Sequence, residues 1–371
     1  MIGETIIDET FIGETIIGKT ILDERTAGND CEKKFSAELF PGRPSVINET
    51  CPLMKLRSVS LLLFFFVPLL AAHAATSPKE LLASGHVDEA IRTLEQQVAG
   101  STPKAESYNL LCRSYFMIDE WDRGIPNCER AIALDPQNSL YHLWLGRIDG
   151  EKADRAGFVS AAGLAKKVRT EFERAVELDP KNSEARADLA EFYLEAPGIV
   201  GGGKDKARAQ AQALAAFNPP LADYVTGRIA EKEKDKTTAE RAYRGAIETS
   251  HGTAQAWLHL AQFLAHSRRL DEMEQALRAM ESARVDRPEA LMDAASLLLH
   301  TGRDSALAVR LLRRYLASPV EEGPAFKAHD LLGQALEKQG DRKAAADEYR
   351  AALALSRTYA RAREDLKRVD H

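Results

Sequence analysis

From residue 77 onward, apolar and polar positions alternate with the period of amphipathic helices separated by short polar turns. In one such segment Tyr108, Leu111, Cys112 and Tyr115 recur at three- and four-residue spacing, as residues on one face of a helix do. A Leu-Asp-Pro triplet ends two other segments, at 134–136 and 178–180, and an Asn-Ser pair follows each triplet. The pattern predicts short helices joined in pairs by tight turns.

The helical pairs repeat along the chain, which predicts an all-α fold, an α-solenoid (superhelix) of about eight helix-turn-helix units. Each hairpin leaves an apolar face that only the next hairpin can cover, so several units must stack before any is stable. The segment Tyr359 to Val369 is amphipathic and is predicted to cap the last unit. The predicted units are a truncated one at 77–102 and seven that begin near 105, 139, 183, 220, 254, 288 and 326.

Small and aromatic residues recur at fixed places within the units. In the last unit these are Gly333, Ala345, Tyr349 and Ala352. In this the chain resembles the tetratricopeptide repeat (TPR) family, of an exported bacterial type. The resemblance implies two antiparallel helices per unit and a concave groove, lined by the first helices, that binds extended peptides or partner helices. It therefore implies a scaffold or adaptor that binds a protein or peptide partner, and not an enzyme.

Two units are longer than the repeat pattern allows. The third has about ten extra residues around Gly150 to Ala162, which are expected to lengthen its helices or to form a loop. The fourth contains the glycine-rich segment 196–203 between its helices. It resembles a phosphate-binding loop, but Asp205 stands where Ser or Thr would hold magnesium, and a helix precedes it in place of a strand. Nucleotide binding is therefore not expected.

The sequence lacks the residue patterns of common catalytic and metal sites. It contains no His-Glu-x-x-His, Cys-x-x-Cys or Gly-x-Ser-x-Gly motif, so no metal and no cofactor are expected. The alternative function is an enzyme with its site in the 150–162 insertion. Its polar candidates are Glu151, Lys152, Asp154 and Arg155, without a paired nucleophile.

A targeting segment precedes the repeats. Lys55 and Arg57 follow Met54, an apolar run occupies most of 59–70, and Ala72-His73-Ala74 comes next. This order is typical of a signal peptide, predicted at 54–74 with cleavage after Ala74. The solenoid would then occupy 75–371 of a periplasmic or secreted protein, with no membrane span left. An uncleaved anchor, which would make the protein a signal-anchored assembly factor, remains the alternative.

Residues 1–53 stand upstream of the signal segment, and their first half has a five-residue period that matches neither helix nor strand. They are interpreted as an upstream or disordered segment outside the fold. The whole chain has a formal net charge of −6 at pH 7, and much of the acidic surplus lies in this segment. The nearly balanced remainder gives no reason to expect nucleic acid or a membrane surface as partner.

Arginine recurs at the ninth place of the first helices, where the side chain is expected to face the groove. Arg113, Arg147 and Arg228 hold this place in three of the first four units from residue 105 onward. We expect them to favour an acidic partner; the alternative is that each pairs with a glutamate of the adjacent helix. The full predicted binding set is Asn109, Arg113, Trp144, Arg147, Tyr224, Arg228 and His259.

Two cysteines, Cys112 and Cys128, remain after the predicted cleavage, both within one hairpin. A disulfide between them is possible in an oxidising compartment. Gly124, and not Cys128, occupies the place that packs most closely on Cys112. The sequence therefore favours buried free thiols over the disulfide.

Overall fold

The computed structural model describes residues 76–318 and 324–370. The predicted signal peptide, its cleavage after Ala74 and the pentapeptide segment lie outside the described residues. The described part is helical apart from its turns and one isolated bridge between Thr253 and Arg284. The helices are α1 (Pro78–Ala83), α2 (Val87–Val98), α3 (Ala105–Met117), α4 (Trp121–Leu134), α5 (Ser139–Asp154), α6 (Phe158–Leu178), α7 (Ser183–Glu195), α8 (Lys204–Ala215), α9 (Pro219–Lys232), α10 (Lys236–Thr249), α11 (Ala254–His266), α12 (Leu270–Met280), α13 (Glu289–His300), α14 (Ser305–Leu316), α15 (Ala325–Lys338), α16 (Arg342–Leu355) and α17 (Ala360–Val369).

These helices pair in chain order into eight hairpins, from α1–α2 to α15–α16, and α17 packs on the last one. The predicted all-α solenoid of eight units with a capping helix is confirmed. In the third unit the extra residues lengthen the helices: α5 runs to Asp154 and α6 has 21 residues. In the fourth unit a 3₁₀ turn at Gly198–Val200 lies between α7 and α8.

Side-chain caps fix where many of the helices begin. Asn138, Asn182 and Asn218 each accept a backbone N–H at the start of α5, α7 and α9. Asp235 and Asp341 do the same for the second helices α10 and α16. Because these caps satisfy N–H groups that the helix itself cannot, they fix where these helices begin.

Most hairpins turn through one residue in the left-handed backbone region, shortly before the second helix. Glycine holds this place in three units, as Gly85, Gly302 and Gly340 with φ between +66° and +85°. Other residue types hold it elsewhere, including Asp119 and Lys234 with φ of 60° and 62°. The turn therefore tolerates a side chain where space allows one.

Inside a hairpin, a glycine of the first helix lies against an aromatic ring of the second. A Cβ on Gly333 would stand 2.5 Å from the Tyr349 ring, and one on Gly227 would stand 2.7 Å from Tyr243. The missing side chain is what lets the two helices approach so closely. This explains the recurrence of small and aromatic residues in the sequence.

Successive first helices contact one another, as α7 does α9 and α11 does α13. They form the inner layer of the solenoid, and the second helices cover them from outside. Ion pairs join first helices across the inner layer, for example Arg147 of α5 to Asp188 of α7. The residues that the sequence predicts for the groove lie on this inner layer, which we call the concave face.

The first and last repeats also contact each other. Leu82 of α1 and Ile91 of α2 belong to the same buried cluster as Phe326 of α15 and Ala352 of α16. The carboxylate of Asp88 accepts the backbone N–H of residue 357 at 2.9 Å. In an open repeat array each unit contacts only its neighbours, so this end-to-end contact is an addition to the expected architecture.

Candidate partner-binding face

The indole of Trp144 is the centre of the concave face between α3 and α5. The guanidinium carbons of Arg113 and Arg147 lie 5.0 and 4.9 Å from its ring centroid, within cation–π range. The indole N–H is buried and has no hydrogen-bond acceptor among the described residues. The side-chain amide N–H of Asn109, one turn before Arg113, is likewise buried without an acceptor among the described residues.

Arg147 is held in place by carboxylates of the next repeat. Its Nε donates to Asp188 at 2.6 Å and its Nη2 to Glu184 at 2.7 Å. Burial lowers the pKa of the guanidinium, but the two carboxylates raise it by more, so the net pKa lies above its usual value. Burial raises the pKa of Asp188 to about 6, even though Arg147 acts to lower it.

Arg228 forms a second buried ion pair with α7. Its Nε and Nη2 donate to both carboxylate oxygens of Glu191, at 2.9 and 3.1 Å, and its Nη2 also donates to Glu195. The hydroxyl of Tyr224 donates to the same Glu191 carboxylate at 2.9 Å. Such a two-pronged guanidinium–carboxylate pair leaves little of the arginine's charge for an external ligand.

Tyr224 and His259 stack with their ring centroids 3.9 Å apart. Burial and, to a smaller extent, the positive charges of Arg287 and Arg228 lower the pKa of His259 to about 3. The imidazole is therefore neutral at physiological pH. It offers an aromatic surface and one hydrogen bond, not a charge.

The structure thus brings the predicted residues together in two groups, Asn109, Arg113, Trp144 and Arg147 in one and Tyr224, Arg228 and His259 in the other. For Arg147 and Arg228 the alternative applies, because both pair with carboxylates of the adjacent helix α7. Sequence reasoning missed their partners on α7, although the signal was present. The missed carboxylates recur at spacings of four, three and four residues along one face of α7: Glu184, Asp188, Glu191 and Glu195.

The preference for free thiols at Cys112 and Cys128 is corrected by the structure. Their sulfurs form a disulfide that joins α3 to α4, with the Cα atoms 5.3 Å apart and both side chains fully buried. Tight packing of α4 on α3 brings both cysteines within disulfide distance, even though Gly124 makes the closest approach. The bond anchors the helix that carries Asn109 and Arg113.

Two polar residues of the 150–162 insertion contact α4 of the preceding repeat. Lys152 pairs with Asp122 at 2.5 Å, and the Arg155 guanidinium lies 4.2 Å from the Trp121 ring centroid. Burial raises the pKa of nearby Asp149 to about 6. Across residues 76–318 and 324–370, no three or more His, Cys, Asp or Glu side chains are grouped so as to hold a metal ion. None of the helices there is both long enough and apolar enough to cross a membrane.

Stacked antiparallel helical hairpins with an inner layer of first helices define the class of α-solenoid repeat proteins. A family model described as a tetratricopeptide repeat matches residues 326–359, the α15–α16 hairpin. No curated protein gives a significant match to the chain.

Solved structures with similar folds are at low identity. Yeast Tom70 is 16% identical with a TM-score of 0.48, over 78% of this chain and 59% of that one, so this chain spans about three fifths of Tom70. A thermophilic TPR protein from Thermus thermophilus is 18% identical with a TM-score of 0.42, over 51% and 95% of the two chains. The C-terminal part of a TPR repeat-containing protein from Cytophaga hutchinsonii is 14% identical with a TM-score of 0.39, over 78% and 98%.

Proposed function

We propose that the protein is an exported, non-enzymatic scaffold that binds an acidic segment of a protein or peptide partner on its concave face. The binding centre is Trp144, together with Asn109 and Arg113 of the preceding repeat. Arg147, Tyr224, Arg228 and His259 shape the adjoining surface and hold its charges within the chain.

The observation that carries this proposal is the pair of buried donors without acceptors, the Trp144 indole N–H and the Asn109 amide N–H. A buried donor left without an acceptor costs about 1–3 kcal/mol, and an external oxygen would recover that cost. The Arg113 guanidinium, 5.0 Å from the indole centroid, favours an acceptor that carries negative charge. A carboxylate-bearing segment meets both requirements.

Selection from a displayed random-peptide library tests the binding centre. We expect the protein to enrich peptides rich in Asp and Glu. The double variant Trp144→Phe, Asn109→Ala removes both donors and is expected to bind those peptides about tenfold more weakly or worse, because a hydrogen bond to a charged group contributes about 1.5–3 kcal/mol.

Trp121→Phe is the matched control. Trp121 also has a buried indole N–H without an acceptor among the described residues, but it lies on the outer helix α4. This variant should bind the selected peptides as the unmodified protein does. Selection of neutral or basic peptides, or equal losses in the two variants, would contradict the proposed site.

Export rests on the sequence pattern at 54–74. The protein isolated from its native host is expected to begin at Ala75 and to be found outside the cytoplasm. Intact-mass measurement decides this, and a native chain that still carries residues 1–53 would refute it.

A further inference from the structure

The contact between the first and last repeats, formed by α1 and α2 with α15, α16 and the turn before α17, is called the clasp below. We propose that the clasp closes the concave face in solution and opens to admit a partner. The partner's entry rests on the proposed function, whereas the closing and opening of the clasp are testable without any partner.

The centre of the clasp is apolar and closely packed. Leu82 and Phe326 are almost completely buried in the cluster that the two repeats share. A Cβ placed on Gly85 would stand 2.5 Å from the Cβ of Ala325 and 3.4 Å from the Leu355 side chain. The α1–α2 turn therefore lies directly against the start of α15, and a methyl group on residue 85 would have to displace it.

The edge of the clasp is polar and accessible to water. Asp88 accepts the residue-357 N–H. Beside the clasp, Lys327 of α15 pairs with Asp119 of the α3–α4 turn at 3.4 Å, with both side chains partly exposed. Exposed pairs of this kind contribute little to stability. A small apolar centre with such an edge can separate while every hairpin stays folded, because each hairpin is packed on its own neighbours.

The clasp joins the two ends of the array that carries the concave face. The Trp144 centre and the Tyr224–His259 stack lie on α5, α9 and α11, between the two repeats that the clasp joins. Small changes of angle between successive repeats add up along a solenoid, so release of the ends widens the access to the inner layer. A bulky partner gains entry by this movement, whereas a small molecule does not require it.

Two glycine substitutions distinguish the effect of disturbing the clasp from the effect of straining a hairpin turn. Gly85→Ala and Gly340→Ala both place a side chain at positive φ, +79° and +85°, in equivalent hairpin turns. The added methyl of Gly85→Ala meets Ala325, whereas nothing lies within 4 Å of the equivalent atom at Gly340. Since Asp119 holds the same turn position in α3–α4, neither variant is expected to unfold. The difference between the two variants reports on the clasp alone.

The first readout is the distance between spin labels on α2 and α16, at the exposed positions Gln96 and Lys343. We expect one short, narrow distribution in the unmodified protein and in Gly340→Ala. Gly85→Ala should show a longer and broader distribution. Equal distributions in all three proteins, or a broad one in the unmodified protein, would overturn the clasp.

The second readout is access to the concave face. A cysteine introduced as Ser296→Cys on α13 is treated with a small maleimide and with a bulky polymer-linked maleimide, and labelling at position 296 is followed by peptide mapping. The bulky reagent should react several-fold faster in Gly85→Ala than in Gly340→Ala, while the small reagent reacts equally with both. Equal rates for the bulky reagent would overturn the gating role.

A locked form completes the test. Asp88→Cys together with Arg357→Cys, oxidised to cross-link the clasp, should slow the bulky reagent and the binding of the selected acidic peptides by about tenfold or more. Unimpaired peptide binding by the locked form refutes gating and leaves the proposed function intact. If no acidic peptide binds any form, the proposed function fails, and the labelling rates alone decide whether the clasp gates access.

Discussion

Among single residues, Arg147 shows how strongly the concave face depends on its own charges. It is buried, stacks beside Trp144 and is bound by two carboxylates of α7. An arginine in this setting orders the surface on which a partner docks. Its removal leaves the carboxylate of Asp188 buried without compensation.

Arg147→Ala is therefore expected to lower the free energy of unfolding by about 3–5 kcal/mol, the usual cost of removing one partner of a buried ion pair. Chemical denaturation followed by circular dichroism measures the loss. Arg350→Ala, which breaks exposed pairs to Asp347 and Asp370, is the control and should change stability little. Similar stabilities for the two variants would show that the Arg147 pair does not hold the repeats together.

Asp330 gives stability a dependence on pH. It is fully buried on α15. Burial, with a smaller contribution from the charge of Asp365, raises its pKa to about 7, although Arg361 acts to lower it. Because the folded-state pKa lies above the unfolded value of about 3.9, this group's favourable contribution is present at low pH. It is lost as the pH rises from about 4 to about 7.

Asp330→Asn removes the charge that burial opposes. The variant is expected to gain on the order of 2 kcal/mol over the unmodified protein at pH 8, and much less at pH 5, where the native carboxyl is mostly protonated. Denaturation at the two pH values measures this difference. Asp347→Asn at an exposed site is the control. A gain that does not change with pH would disprove the role assigned to Asp330.

The sequence was sufficient to predict which residues share the inner layer, because the ninth-place spacing depends on helical geometry alone. It was not sufficient to predict how Arg147 and Arg228 are paired. That pairing depends on how α7 is aligned with α5 and α9, which side-chain packing between repeats determines. The sequence shows the row of carboxylates on one face of α7, but it does not show which arginines they contact.

At the scale of helices, the disulfide between Cys112 and Cys128 fixes the α3–α4 hairpin. This hairpin contains Pro126 within α4, where proline removes a backbone hydrogen bond. The covalent link holds α3 and α4 together and so preserves the position of Asn109 and Arg113. The sequence predicted both helices but could not fix the distance between the two sulfurs, which depends on how closely the helices pack.

Replacement of both cysteines by alanine is expected to lower the free energy of unfolding by about 3 kcal/mol, as expected for a loop of roughly this length. In the denatured, unreduced protein, neither cysteine should react with a thiol reagent before reduction. Free thiols at both positions would show that the bond does not form in the native compartment. Phe116→Leu, a substitution of a neighbouring apolar residue, controls for the packing change.

At the scale of the whole molecule, the eight units and the capping helix of the described residues were predictable, because caps, turns and small residues recur with each repeat. The end-to-end contact was not. It depends on the sum of many small rotations between repeats, and no short motif encodes that sum. The long helices α5 and α6 enter the sum, so the lengthened third unit contributes to where the ends arrive.

Repeat arrays commonly gain or lose units by duplication and deletion, since an open array has no preferred length. Here the ends of the array touch, Gly85 against Ala325 and Asp88 against residue 357. This contact depends on the number of repeats between them. In a variant with the α11–α12 hairpin duplicated, each repeat should fold but the first and last repeats should no longer meet. X-ray scattering should then show a larger increase in the radius of gyration than one added hairpin explains. An insertion or deletion of one hairpin would therefore be expected to cost this protein its end-to-end contact as well as changing its number of repeats.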